Sequence, residues 1–253
     1  MDSPQLHAIG FDAPTVEEII TKAFEAGVRG INSAPGFAMI GTYTDPSGAR
    51  LVFLQREGES VNTTAGLVAE TTYRAQVVRF TDLLARVALY SDEGEGQLLI
   101  QYLAMVDDPV SYPQHDLQAE GEYSVVKALQ VGALAIDVEV FADADAFYAS
   151  PESRAGELQL TVDTLLSPGL VGLQAAAISP VEATPTMLMA LTVERVERRT
   201  NALTGVEFQY VIGRSAVELS CGIPLDRPVE PGNVVFGTWY GTCSSGLWDE
   251  ETG

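Results

Sequence analysis

The chain has 253 residues, with 35 Asp and Glu against 14 Lys and Arg, a formal net charge of −21 and a hydrophobic fraction of 46%. That fraction excludes a disordered chain, and no uninterrupted apolar run reaches the roughly 18 residues a membrane helix needs. The acid excess opposes nucleic acid, because such a field repels phosphate at long range.

Leu6 to Phe11 reads as a short apolar strand. Thr15 then has the form of a helix N-cap, with Glu18 in capping-box position. Val16, Ile19, Ile20, Ala23 and Phe24 recur at helical spacing, and Gly27 ends the run. This is the one long helix expected. Phe37–Tyr43 and Arg50–Leu54 flank Asp45-Pro46-Ser47-Gly48, a hairpin turn. Strands are expected at 73–80, 85–90 and 97–106, with turns at 92–96 and 107–109. Residues 109–121 read as a linker.

Beyond it, strands are expected at 123–129 and 133–141, and a short helix from Asp143 to Tyr148 that Pro151 stops. Further strands fall at 158–162, 187–198, 206–212 and 234–242. The fold class is therefore α+β, strand-dominated, with antiparallel sheets and one long N-terminal helix. Organisation is either two similar α+β units, 1–118 and 119–253, or one continuous domain. A faint internal repeat sets Arg86-Val87 and Gln101-Tyr102 beside Arg195-Val196 and Gln209-Tyr210.

Cys221 and Cys243 are the only cysteines, and no CxxC or Cys/His ligand spacing occurs, so no zinc site of the usual kind is expected. Whether the two thiols pair stays open. GxSxG, HExxH, Walker and GxGxxG patterns are absent. Asp107-Asp108 precedes a proline, as turns often do, Asp137 and Glu139 share a strand face, and Asp143 and Asp145 suit a helix start. His115 reads as a loop residue. His7, on the first strand, is one candidate binding residue. Trp248 is the other, since it follows Ser244-Ser245-Gly246 and precedes an acidic tail. It is expected to be less buried than Trp239, which lies in an apolar strand.

Residues 5–57, read as strand, helix, strand, strand, with His7 first and the hairpin Asp45 to Phe53 last, resemble half of a module of the vicinal oxygen chelate family, glyoxalase among them. The resemblance implies βαβββ modules paired around a cavity. It also implies a metal site drawing on a first-strand histidine, which His7 matches. Phe53 occupies the place where that site's glutamate often falls.

The expected function is non-catalytic binding or interaction. The alternative is a small-molecule enzyme of the vicinal oxygen chelate type with His7 near its site. Neither a cofactor nor a metal is expected. The partner is expected to be a small molecule or a protein, a second copy of the chain included, with no nucleic acid and no membrane. Met1 to Leu6 carries neither the basic nor the apolar region of a secretory signal, so a cytoplasmic location is expected.

Overall fold

Alternating apolar positions in runs rich in Val, Leu, Ala and Tyr favour half-buried strands, and strands dominate. The computed structural model describes residues 3–31, 34, 36–92, 96–117 and 121–249. It opens with α1 (Pro4–His7) and α2 (Val16–Gly27). A four-stranded antiparallel sheet follows in sequence order: β1 (Arg29–Ile31), β2 (Met39–Thr44), β3 (Ala49–Gln55) and β4 (Asn62–Leu67). Next come β5 (Thr72–Arg79), β6 (Leu84–Tyr90), β7 (Leu98–Val106) and the 18-residue β8 (Ser124–Phe141). Then come α3 (Ala144–Ala149), the ribbon of β9 (Arg154–Ala155) and β10 (Leu158–Gln159), β11 (Leu165–Leu166) and α4 (Pro168–Gln174). The chain finishes with β12 (Thr186–Thr200), β13 (Glu207–Arg214), β14 (Glu218–Pro224) and β15 (Val234–Ser244).

The larger sheet closes on itself twice. β8 and β15 form an antiparallel central ribbon, with Val234 opposite Phe141 and Ser244 opposite Gln130. Along one half of the ribbon, β12, β13 and β14 lead from β15 round to β8. Along the other half, β7, β6 and β5 do the same. The pairing pattern repeats. Antiparallel β5–β8 (Thr72 opposite Gln130) answers antiparallel β12–β15 (Thr186 opposite Tyr240). Parallel β7–β15 (Val106 opposite Cys243) answers parallel β14–β8 (Cys221 opposite Ala133). Each meander thus closes on the long strand of the other half. This equivalence matches β6–β7 with β13–β14, so the dipeptides read as a repeat, on β6–β7 and β12–β13, do not occupy equivalent places.

One apolar interior runs through both rings, from Val77, Val87, Tyr102 and Leu129 to Met189, Leu191, Val211, Cys221 and Trp239. Strands from either side of the expected boundary at 118/119 share this core. Residues 118–120 themselves lie outside the described residues. The four-stranded sheet covers the barrel's outer wall. Leu51, Phe53 and Ala65 join α1, α2 and the outward-facing Leu134, Phe208, Tyr210 and Tyr240 in a second core. Val52 and Leu54, on the opposite face of β3, pack with Ile40, Leu83 and Trp248.

Several expectations change. The helices among the described residues are four and short, not one long N-terminal helix. Thr15 does cap α2, accepting from the Glu18 amide at 3.2 Å, but only Ile19 and Ala23 of its stripe are buried and Phe24 is 43% exposed. Residues 6–11 are helix and turn rather than strand. Pro4 begins the helix, Gly10 turns with φ 74°, and the apolar residues are buried without alternating. A short apolar run satisfies helix and strand alike. The strands expected at 123–129 and 133–141 are one, β8. β4, β14 and α4 were not anticipated. Trp239 is fully buried, its indole N–H donating to the Met189 carbonyl at 3.2 Å. Trp248 is buried too, at 5% exposure, and donates to the Asp107 carbonyl at 2.7 Å.

Candidate functional site

Two charged features lie on either side of the short 3-10 turn Pro109–Ser111. Both arise from charged residues on core-facing parity. Ala75, Val77 and Arg79 alternate on β5, and the first two fill the barrel interior, so Arg79 is carried to the barrel's end. Arg50 likewise shares the parity of Val52 and Leu54 on β3 and is completely buried.

The inner feature is a closed charge cluster. Arg50 pairs with Asp107 at 2.8 Å and with Asp249, and its Nε donates to Thr44 at 3.1 Å. Asp249 also accepts from Gln130 at 2.7 Å. The neighbouring Asp108 accepts from the Ser245 amide at 2.9 Å, from the Ser245 hydroxyl, and from Ser111 at 3.2 Å. Burial disfavours both carboxylates in their charged form. It raises Asp107 above the usual range despite Arg50, and with the Asp107 charge it pushes Asp108 up to about 7. One oxygen of each carboxylate has no hydrogen-bond partner, nor does the Tyr112 hydroxyl. The cluster joins the four-stranded sheet, the end of β7 and the segment 244–249.

The outer feature is a cleft of about 570 Å³ lined by Ile31, Ala34, Phe37, Arg56, Arg79, Val110 and Tyr112, among others. Arg79 is 7% exposed. Its Nε donates to the Tyr112 carbonyl at 2.8 Å, and its Nη1 to the carbonyls of Thr81 at 2.8 Å and Asp82 at 3.2 Å. It has no carboxylate within ion-pair distance among the described residues. Burial, with repulsion from Arg56 added, pulls its guanidinium below the usual value against the attraction of Asp82. A parallel bridge between Arg79 and Gln114, and the His115 amide donating to the Arg79 carbonyl at 2.8 Å, hold the 112–115 segment against β5. Arg56 is held by Asp82 through Nε at 2.9 Å and through Nη2, and lies 5.2 Å over the Phe37 ring.

Neither His7 nor Trp248, the residues expected at a site, lines the cleft. His7 is the last residue of α1, with Nδ1 2.6 Å from Asp12 and its side chain about half exposed. No group of three or more His, Cys, Asp or Glu with metal-holding geometry occurs among the described residues. Trp248 lies beneath the four-stranded sheet and offers no contact surface. Cys221 and Cys243 are free and buried. His115 is 3.1 Å from Glu122, and the Arg195, Arg198 and Arg199 cluster is spent on Glu70, Glu197 and Glu207. Sequence reasoning missed Arg50, Arg79 and the burial of Asp107-Asp108. A charged residue on the apolar parity of a strand is the signal that marks the two arginines. An acidic pair before proline carries no such mark.

No protein-family model matches the chain, and no curated protein or solved structure matches it either.

Proposed function

We propose that this is a non-catalytic binding protein, and that a small molecule occupies the cleft between β1–β2 and the 109–114 segment. The observation that carries the reading is Arg79, a nearly buried cation that lines a mostly apolar cleft and has no anionic partner within ion-pair distance among the described residues. Buried charges are ordinarily paired, and a guanidinium left unpaired beside open volume suits a ligand. The titratable groups lining the cleft are Arg56, Arg79 and Tyr112. Guanidinium groups stay protonated and bind rather than exchange protons, and the Tyr112 phenol is pushed up by burial. This lining supports binding over acid–base chemistry.

Ligand-observed NMR against a metabolite library tests the reading. Val110 lines the cleft and is 36% exposed, so Val110→Trp should fill the space without disturbing the barrel. Hits that bind the wild type and vanish in Val110→Trp are expected. Hits indifferent to that change would overturn the cleft assignment, and conversion of a bound compound to product would overturn the non-catalytic one.

A further inference from the structure

Resting on that reading of the cleft, we infer that its ligand is a monoanion with an apolar body: a carboxylate held by Arg79 and Arg56 with a hydrocarbon or aryl portion against Ile31, Phe37 and Val110. The argument begins with a hydrogen-bond count. A guanidinium has five N–H donors. In Arg79, Nε and Nη1 are spent on three main-chain carbonyls, which fix the plane of the group. Nη2 makes no hydrogen bond among the described residues and is not sealed from solvent, and Arg79 is one of the residues that line the cleft. In Arg56, Asp82 occupies Nε and Nη2 and leaves Nη1 over. Donors remain on both guanidiniums in one cleft, and the planar fork of arginine matches a carboxylate.

The charge balance agrees. The sequence holds 35 acidic residues and 14 basic ones, yet among the described residues two arginines and no carboxylate line this cleft. Asp82 is paired with Arg56, and Glu59 adds a weaker attraction to the same guanidinium, so the positive charge without an ion-pair partner among the described residues is that of Arg79. A ligand carrying a single negative charge neutralises it. A doubly charged phosphate would overcompensate, and the −21 field of the whole chain would oppose it more strongly. The remaining walls are mostly apolar, from Ile31, Ala34, Phe37, Val110 and the prolines 109 and 113, with Tyr112 and Gln114 as the other polar side chains, which argues for a largely hydrocarbon or aryl remainder.

Calorimetric titration of the full chain with straight-chain and aryl monocarboxylates up to decanoate, with the matching primary amides and with inorganic phosphate, tests the inference. At least one monocarboxylate should bind about ten- to hundredfold more tightly than its amide, the range expected for a charge-assisted hydrogen bond. Arg79→Met should abolish that preference, and Val110→Trp should abolish binding. Because Arg79→Met removes three internal hydrogen bonds and can fail to fold, Arg56→Met serves as the second variant. Its side chain is 41% exposed, and it should weaken the carboxylate while leaving the amide unchanged. Equal binding of acid and amide, both blocked by Val110→Trp, would overturn the anion and leave the cleft. Phosphate binding more tightly than every monocarboxylate would overturn the carboxylate. Absence of binding across the panel would overturn the carboxylate inference alone, and binding untouched by Val110→Trp would overturn the cleft assignment as well.

Discussion

Replacing Arg50 by methionine should be among the most damaging single changes in the protein, with a pH dependence that gives the reason. The side chain is fully buried, and Asp107, 2.8 Å away, has a side chain only 4% exposed. Removing the cation leaves that carboxylate in the interior beside Asp108, and breaking a buried pair from one side typically costs about 3–5 kcal/mol. The variant escapes part of this cost by binding a proton. In the wild type Asp108, pushed up to about 7, is protonated in the folded state at pH values where the unfolded chain has released its proton. Stability therefore falls as pH rises from about 4 towards 7, and acidification from about pH 7.5 to about 5.5 should return on the order of 2 kcal/mol. In Arg50→Met, Asp107 loses the cation that favours its charged form and is pushed up further, so the gain on acidification should be larger than in the wild type. Urea denaturation followed by tryptophan fluorescence at the two pH values measures both quantities. The double variant Arg50→Met, Asp107→Leu should recover most of the loss, because an apolar pair of similar volume replaces a buried ion pair at little net cost. A loss below about 1 kcal/mol, or one equal at both pH values, would refute the account of the cluster as a desolvated charge network.

Other outcomes follow from packing. Trp239→Ala and Trp248→Ala should each cost about 3–5 kcal/mol in chemical denaturation, since both indoles are buried and hydrogen-bonded to main-chain carbonyls. A loss near 1 kcal/mol for Trp248 would restore it to the surface. Gly237→Ala should lower the melting temperature sharply: its φ is 151°, and a Cβ would meet the Asp137 carbonyl oxygen next to the bulge at Thr238–Trp239. Cys221 and Cys243 should resist a thiol reagent in the native protein and both react in denaturant, because burial raises both thiols and holds back the reactive thiolate. Rapid native labelling of either would contradict the closed barrel interior.

Local order in this protein was legible from the sequence. Thr15 announced α2, Asp143 announced α3 by accepting from the Ala146 amide at 2.8 Å, and Asp45-Pro46-Ser47-Gly48 set the hairpin of β2 and β3. These depend on interactions a few residues apart, and alternation over six or more residues located most of the long strands for the same reason. Trp239 also lay where its apolar strand put it. What the sequence could not carry was closure. Each meander completes its ring on a strand of the other half, Val106 beside Cys243 and Cys221 beside Ala133, and no local pattern encodes a parallel partner more than 80 residues away. The fate of polar side chains followed from that closure. Arg79 and Arg50 became buried because the strands that carry them turned those faces inward. Asp107-Asp108 became a desolvated pair, not a wet turn, because the segment 244–249 folds over it. Trp248 was drawn into the core by the same segment. A flexible Ser-Ser-Gly and an acidic tail describe only what flanks a residue, whereas burial depends on what the rest of the chain brings to it, and here Asp107, Arg29 and the face of β3 that carries Val52 and Leu54 close over the indole.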